Sequence, residues 1–181
     1  MIYKTHVAFA EAIMFSPFIL EKFGIITKET NIWNNFYLAE IAVFVLIIAI
    51  AALLPDLDEE ESWLSKKIPF VSYFTGKLQH RGLTHYLITP ILILLIGILV
   101  IPSTQYILLY IVVIAYTLHI VGDAFTKSGI PNGFYPLKIK FVMLPKAFRF
   151  RTYGFVERSI VLPLLTVIII YEGILIFSKL F

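Results

Sequence analysis

The sequence predicts an all-α integral membrane protein, a bundle of about five transmembrane helices with two longer cytoplasmic loops. Three observations carry this. Of 181 residues, 59% are apolar and only 15% charged, with a mean hydropathy of +0.88, against about 25% charged in an ordinary soluble domain. The apolar residues gather into stretches close to the ~20 residues a helix needs to cross hydrocarbon. The cations are divided unequally among the intervening loops, as happens when one side is cytoplasmic. The same composition excludes a disordered chain, and a net charge of +3 is modest for a nucleic-acid binder. With no cysteine, disulfides, thiolate ligands and Cys nucleophiles are excluded, so any chemistry rests on His, Asp, Glu, Ser, Thr or backbone groups.

In chain order, the stretch Thr5 to Leu20 carries His6, Glu11 and Pro17, so it either spans with snorkelling ends or dips in and returns. It lacks a polybasic start with a small-residue cleavage site, which argues against a cleaved signal peptide. Phe36 to Leu54, Leu83 to Ile101, Gln105 to Val121 and Ile160 to Phe177 read as membrane helices. Pro55 to Gly82 forms the first long connection, opening with Asp56, Asp58 and Glu59 to Glu61 and continuing through the aromatic stretch Ile68 to Phe74, an expected interfacial segment. The second, Gly122 to Ser159, alternates apolar and basic residues around Lys138, Lys140 and Phe141 and again from Phe148 to Arg151. That alternation suggests a short β-hairpin against the headgroups. No internal repeat is visible, and residues 1–181 read as one polytopic domain.

With the N-terminus inside, twelve of the fifteen Lys and Arg residues fall on one side. Only Lys22, Lys28 and Lys179 fall on the other. The two long loops are therefore expected in the cytoplasm. On this topology all four histidines lie at cytoplasmic ends of membrane segments. His6 opens the first, Asp56 and Asp58 close the second, His80 and His85 lead into the third, and His119 with Asp123 close the fourth. His119 and Asp123 are four apart and share a helix face. Pro55 breaks its helix and frees the two carboxylates. His80 and His85 are five apart, not a same-face spacing, so His80 is expected in the loop.

Imidazoles mixed with carboxylates suit a divalent transition metal, one or two Zn ions or else Mn or Fe. The expected ligands are His6, Asp56, Asp58, His80, His85, His119 and Asp123. Arg81 is placed to clamp an anionic oxygen. Glu157 is a candidate general base or further ligand, and Glu59 a further catalytic carboxylate, although the run Glu59 to Glu61 reads more simply as solvated. Glu11 and Glu172 are expected to bond between helices, and Glu40 to lie at the outer interface.

Three blocks, LLPDLD at Leu53 to Asp58, HRGLTH at His80 to His85, and HIVGDAFTKSGIPNG at His119 to Gly133, resemble in order and spacing the signature blocks of the YdjM-type membrane-bound metal-dependent hydrolases. The resemblance extends to His6 and runs to about Glu157. It implies a multi-pass inner-membrane protein of a prokaryote with a metal site and hydrolase activity, the matches falling on His6, Asp56, Asp58, His80, His85, His119 and Asp123. Two positions depart from the pattern: Glu59 where members often carry His, and Tyr86 where they often carry Ser. At motif level the His-x3-Asp pair is also similar to the zinc-dependent phospholipase C class. Neither Gly-x-Ser-x-Gly nor His-Glu-x-x-His occurs, which disfavours serine hydrolases and zincin peptidases.

The function expected is hydrolysis of a phosphoester, or related ester, of a lipid or phosphorylated amphipathic substrate by a metal-activated water at the cytoplasmic membrane surface. A metal-ion or proton transporter using the same cluster is the rival reading. A scaffold held together by its polar residues is the third.

Overall fold

The structure, a computed structural model, describes residues 1–59, 62–67 and 81–179. His80 and the stretch Ile68 to Phe74 lie outside these residues. The described helices are α1 (Tyr3–Lys22), α2 (Leu38–Ala51), the short α3 (Trp63–Lys67), α4 (Ile88–Val100), α5 (Tyr106–Ala124) and α6 (Leu162–Ser178). Among the described residues three helical stretches are long and apolar enough to cross a membrane: Leu38–Asp58, Ser103–Ala124 and Glu157–Ser178. The thirteen residues of α4 are apolar but extend only about 20 Å at 1.5 Å per residue, short of a full hydrocarbon thickness. The twenty residues of α1 have the length, with His6 and Glu11 along them.

Local chemistry explains several boundaries. Pro17 removes one backbone donor inside α1, and the carbonyl of Ile13 thus released accepts a hydrogen bond from Ser16 Oγ at 2.7 Å. Glu40 caps α2 by accepting from the Tyr37 N–H at 2.8 Å. Pro55 ends α2 by tightening the chain into a 3-10 turn, Leu54–Asp58. The sequence pattern begins the third apolar helix at Leu83, whereas α4 begins at Ile88. Leu83–His85 instead form a 3-10 turn, and the segment before α4 has tertiary partners: Tyr116 donates its hydroxyl to the Thr84 carbonyl, and the Leu87 N–H donates to the Gly133 carbonyl at 3.0 Å.

Trp33, Phe15, Phe18, Phe44, Ile48 and Ile111 form the main core between α1, α2 and α5. Trp33 is tied in by its indole N–H, which donates to the Met14 carbonyl at 2.7 Å. The packing of α4 on α5 runs through Gly97, where a Cβ would collide with the Leu109 side chain. Along α1, α6 packs through Leu165 on Ala8 and Ala12. It runs parallel to α1, since Glu157 meets Ile2 at one end and Lys179 meets Glu21 at the other. The opposite faces of α4 and α6 leave Leu99, Val100, Val167 and Ile170 exposed, as a lipid-facing surface does.

The β-hairpin expected in the second long loop does not form, and no strand occurs among the described residues. Each arm bridges instead to the segment that follows α5. Phe141 exchanges backbone hydrogen bonds with Ile130, and the Lys127 N–H donates to the Phe150 carbonyl. Pro145, between the two basic arms, opens a 3-10 turn at Lys146–Phe148, and with no N–H to donate it disfavours a strand ladder there.

Candidate metal centre

Four elements bring their polar residues to one end of the bundle: the first turn of α1, the 3-10 turn after α2, the 3-10 turn before α4, and the last turns of α5. Helix periodicity places His119 and Asp123 on the inner face of α5, where both are almost completely buried. Gly122 between them lets α1 approach closely, since a Cβ there would collide with the Met1 side chain and lie 3.4 Å from His6 Nδ1. The His6 and His119 rings consequently stack, with centroids 3.6 Å apart and planes within 6°.

His119 is held by its back nitrogen. Nδ1 lies 2.7 Å from the Ala52 carbonyl oxygen, to which it can only donate, and in the neutral tautomer so fixed Nε2 is the nitrogen that can accept or ligate. Nε2 faces His85 Nε2 at 3.3 Å and Asp56 Oδ1 at 3.4 Å. His85 is oriented in the same manner, its Nδ1 turned to Thr84 Oγ1 at 3.0 Å and Asp58 Oδ2 at 3.5 Å. Its Nε2 looks toward Asp56 and Asp123, at 3.7 and 3.8 Å. His6 Nε2 stands 3.3 Å from Asp123 Oδ1, yet neither ring nitrogen of this buried imidazole makes a hydrogen bond among the described residues. Two groups result, His6–Asp56–His119 and His85–His119–Asp123, each with ligand atoms within 4.8 Å of one another, and each able to hold a metal ion. A backbone carbonyl or carboxylate on the far nitrogen of a ligating His is the usual way proteins aim the near one at a metal.

The remaining sequence candidates fall around this convergence. Asp58 is buried behind His85, accepting from Thr84 Oγ1. Arg81 bonds Asp123 Oδ2 at 2.9 Å and the Gly129 carbonyl at 2.8 Å, while its buried Nε has no partner among the described residues. Asp123 also contacts the Met1 amino nitrogen. Both oxygens of Glu157 accept backbone donors, Ile2 N–H and Tyr153 N–H, each at 2.8 Å. Its carboxylate therefore anchors the segment leading to His6. Glu59 lies on a cleft of about 300 Å³ that also borders Asp56, Arg81, Trp63 and Tyr153.

Some contributors carry no sequence signal of their own. The carbonyls of Ala52 and Gly129 are backbone groups, and only packing shows that they matter. Thr126 is more legible: its hydroxyl donates to the Asp123 carbonyl at 2.8 Å and accepts from the Gly129 N–H, closing the end of α5. Gly129 adopts φ +56°, a conformation suited to glycine, and this turns its carbonyl toward Arg81.

"Inner membrane protein YdjM" of Escherichia coli (strain K12) is 31% identical over 86 residues, covering 45% of this chain and 44% of that protein. The protein of the same name from Shigella flexneri matches to the same extent. The match thus spans less than half the length of these curated relatives. No solved structure matches the chain. The family described as YdjM inner membrane protein matches residues 1–179. The three blocks, the buried His and Asp residues around them and this near-complete match lead to one assignment: the chain belongs to the YdjM inner membrane protein family.

Proposed function

We propose that this protein is a membrane-embedded, metal-dependent hydrolase of a phosphoester, or related ester, of a lipid or amphipathic substrate. Five crossings and a cytoplasmic site belong to this proposal. The carrying observation is the facing of two imidazole nitrogens, His85 Nε2 and His119 Nε2, at 3.3 Å with carboxylates beside them. With His119 Nδ1 held by the Ala52 carbonyl and His85 Nδ1 turned to Thr84, both Nε2 atoms converge on one point beside Asp56, where a metal ion fits. His6, buried with both nitrogens unbonded among the described residues, fits the same ion.

His6, His85, His119, Asp56 and Asp123 would hold the ion, with Asp58 and the Ala52 carbonyl fixing two of the rings. The donor set suits Zn, with Mn and Fe as alternatives. His119 has a single nitrogen to offer, because Nδ1 is taken by Ala52. The two groups therefore cannot both bind through it, and a second ion would need bridging by a carboxylate. When bound, the metal supplies Lewis acidity at a phosphoryl oxygen and at the attacking water. Arg81 neutralises Asp123 and directs its Nε toward an anionic group; Glu59, on the cleft wall, is positioned to exchange protons there. Glu157 acts as a positioning residue for the His6 segment.

The test is elemental analysis of detergent-purified protein beside a His119→Ala, Asp123→Ala double variant, with monodispersity as the folding check. At least one equivalent of transition metal in the parent, absent from the folded variant, supports the reading, and phosphate release from phosphorylated lipids then follows as the assay. Equal metal content in the two proteins overturns the ligand assignment. One observation favours the transport reading: Glu172, on α6 and fifteen residues beyond Glu157, is buried with neither carboxylate oxygen bonded among the described residues. Metal uptake into vesicles that is lost in Glu172→Gln, without any hydrolysis, would decide for transport.

A further inference from the structure

The long connection between the apolar stretches Ser103–Ala124 and Glu157–Ser178 leaves and rejoins the bundle at the end that holds the imidazole cluster. Backbone hydrogen bonds tie it to the helix ends there. The Met143 N–H donates to the carbonyl of Ala124, the last residue of α5, and the Gly133 carbonyl accepts from Leu87, just before α4, both at 3.0 Å. A segment fastened to the ends of apolar helices stays at the depth of the bilayer surface.

Its apolar residues divide into two sets. Ile130, fully buried, and Phe141, half-buried, pack on Tyr116 and Ile120 of α5. Phe134, Leu137, Ile139, Met143 and Phe148 are exposed instead, and exposed apolar side chains concentrated in one segment mark a surface that something else covers.

Charge says what covers it. Residues 125–156 contain six cations and no carboxylate. The acids that flank them are engaged inside the protein, Asp123 with Arg81 and the Met1 amino group, Glu157 with the N–H groups of Ile2 and Tyr153. Among the described residues none of the six cations forms an ion pair: Lys140 Nζ reaches the Lys127 carbonyl at 3.4 Å, and Arg149 Nε the Leu144 carbonyl at 2.6 Å. Asp56 and Glu59 border a cleft with Thr152 and Tyr153, which follow all six in the chain. In the run Leu137-Lys138-Ile139-Lys140 the two characters interleave. Apolar side chains then enter the acyl boundary while lysines snorkel to the phosphates. A soluble polyanion would match the charge but leave the apolar set in water.

We propose that this connection is a binding surface for anionic phospholipids of the surrounding leaflet, with Leu137, Ile139 and Phe148 in the interface and Lys138, Lys140 and Lys146 on the headgroup phosphates. The proposal requires the chain to lie in a membrane and is independent of hydrolysis.

Because the chain has no cysteine, Ala147→Cys carries a single fluorophore on the exposed turn at Lys146–Phe148. The labelled full chain is reconstituted into phosphatidylcholine vesicles containing an equal mole fraction of phosphatidylglycerol or phosphatidylcholine brominated near the glycerol end of the acyl chains. Quenching should favour the anionic lipid by at least about fivefold, the contribution of one lysine at a membrane surface. Replacing Lys138, Lys140 and Lys146 together by Ala should bring that preference toward one, and replacing them by Arg should keep it. Equal quenching by the two lipids, quenching by neither, or a preference unchanged in the alanine variant would each overturn the proposal. A rise in label anisotropy on adding duplex DNA, in vesicles whose lipids quench nothing, would overturn it in favour of a soluble polyanion.

Discussion

The two ends of the bundle are both rich in polar side chains, yet they treat them in opposite ways. At the Glu21 end each group of the network has a complement: carboxylate with ammonium, amide with carboxylate, ammonium with an aromatic face. At the His119 end two imidazole nitrogens converge with carboxylates on both sides, and the buried His6 ring among them has no hydrogen-bond partner among the described residues. The first arrangement is a clasp joining α1 to α6. The second leaves the His6 imidazole without a partner among the described residues, and burial makes the difference matter, since a desolvated polar group with no partner is costly. Ligand sites are therefore recognised by what the protein leaves unsatisfied rather than by how many charges it collects.

The sharpest way to break this comparison is to remove one member at each end. His119→Ala should weaken zinc binding by more than about a hundredfold in equilibrium dialysis, beyond the effect of losing an orienting group. Lys179→Ala should leave zinc binding unchanged. Similar affinities in the two variants would show that the ends do not differ as described. Next in size is Asp58→Asn, which keeps the donors but loosens His85; a loss of about 10–100-fold in metal affinity is expected by chelator competition, with the fold retained.

Stability gives the next two effects. Gly129→Ala forces a side chain into φ +56° and against Val142 and Lys140. A destabilisation of about 1–3 kcal/mol is expected from thermal unfolding in detergent, together with loosening of Arg81. Glu172→Leu should do the reverse, since replacing a buried carboxyl with no hydrogen-bond partner among the described residues removes its desolvation penalty, about 1–3 kcal/mol. A lower unfolding temperature for Glu172→Leu would mean that this carboxylate has a partner or a bound ion.

The smallest effect concerns the clasp. Glu21 lies beyond the apolar stretch Thr5 to Leu20. Burial pushes its carboxyl up, but Lys179 and the amides of Asn34 and Asn31 outweigh this and hold it down at about 2, below the usual 4.5. The folded state therefore binds the proton less readily than the unfolded chain. Its stabilisation is fully present above about pH 4.5 and is lost as the pH falls toward 2. Glu21→Gln should flatten the decline of unfolding temperature across that window, by no more than about 1 kcal/mol given its partial exposure. An identical decline in parent and variant would remove the clasp from the comparison.

Composition, apolar run length and local spacing alone determined that this is a helical membrane protein, that His119 and Asp123 share a face, and that Pro55 ends a helix ahead of two carboxylates. These are legible because hydrocarbon thickness and the 3.6-residue turn act on neighbouring residues. The three blocks likewise pointed to the family before any contact was known. Tertiary structure decided what no local rule reaches. It turned Leu83–His85 into a 3-10 turn, sent the basic arms around Phe141 and Phe150 to the α5 exit instead of to each other, and set Asp58 behind His85 and Glu157 onto the backbone of Ile2. The nitrogen that His119 presents is chosen by a carbonyl 67 residues away in the chain. Such choices depend on which helices pack against which, and a backbone carbonyl has no side chain by which a sequence could announce it.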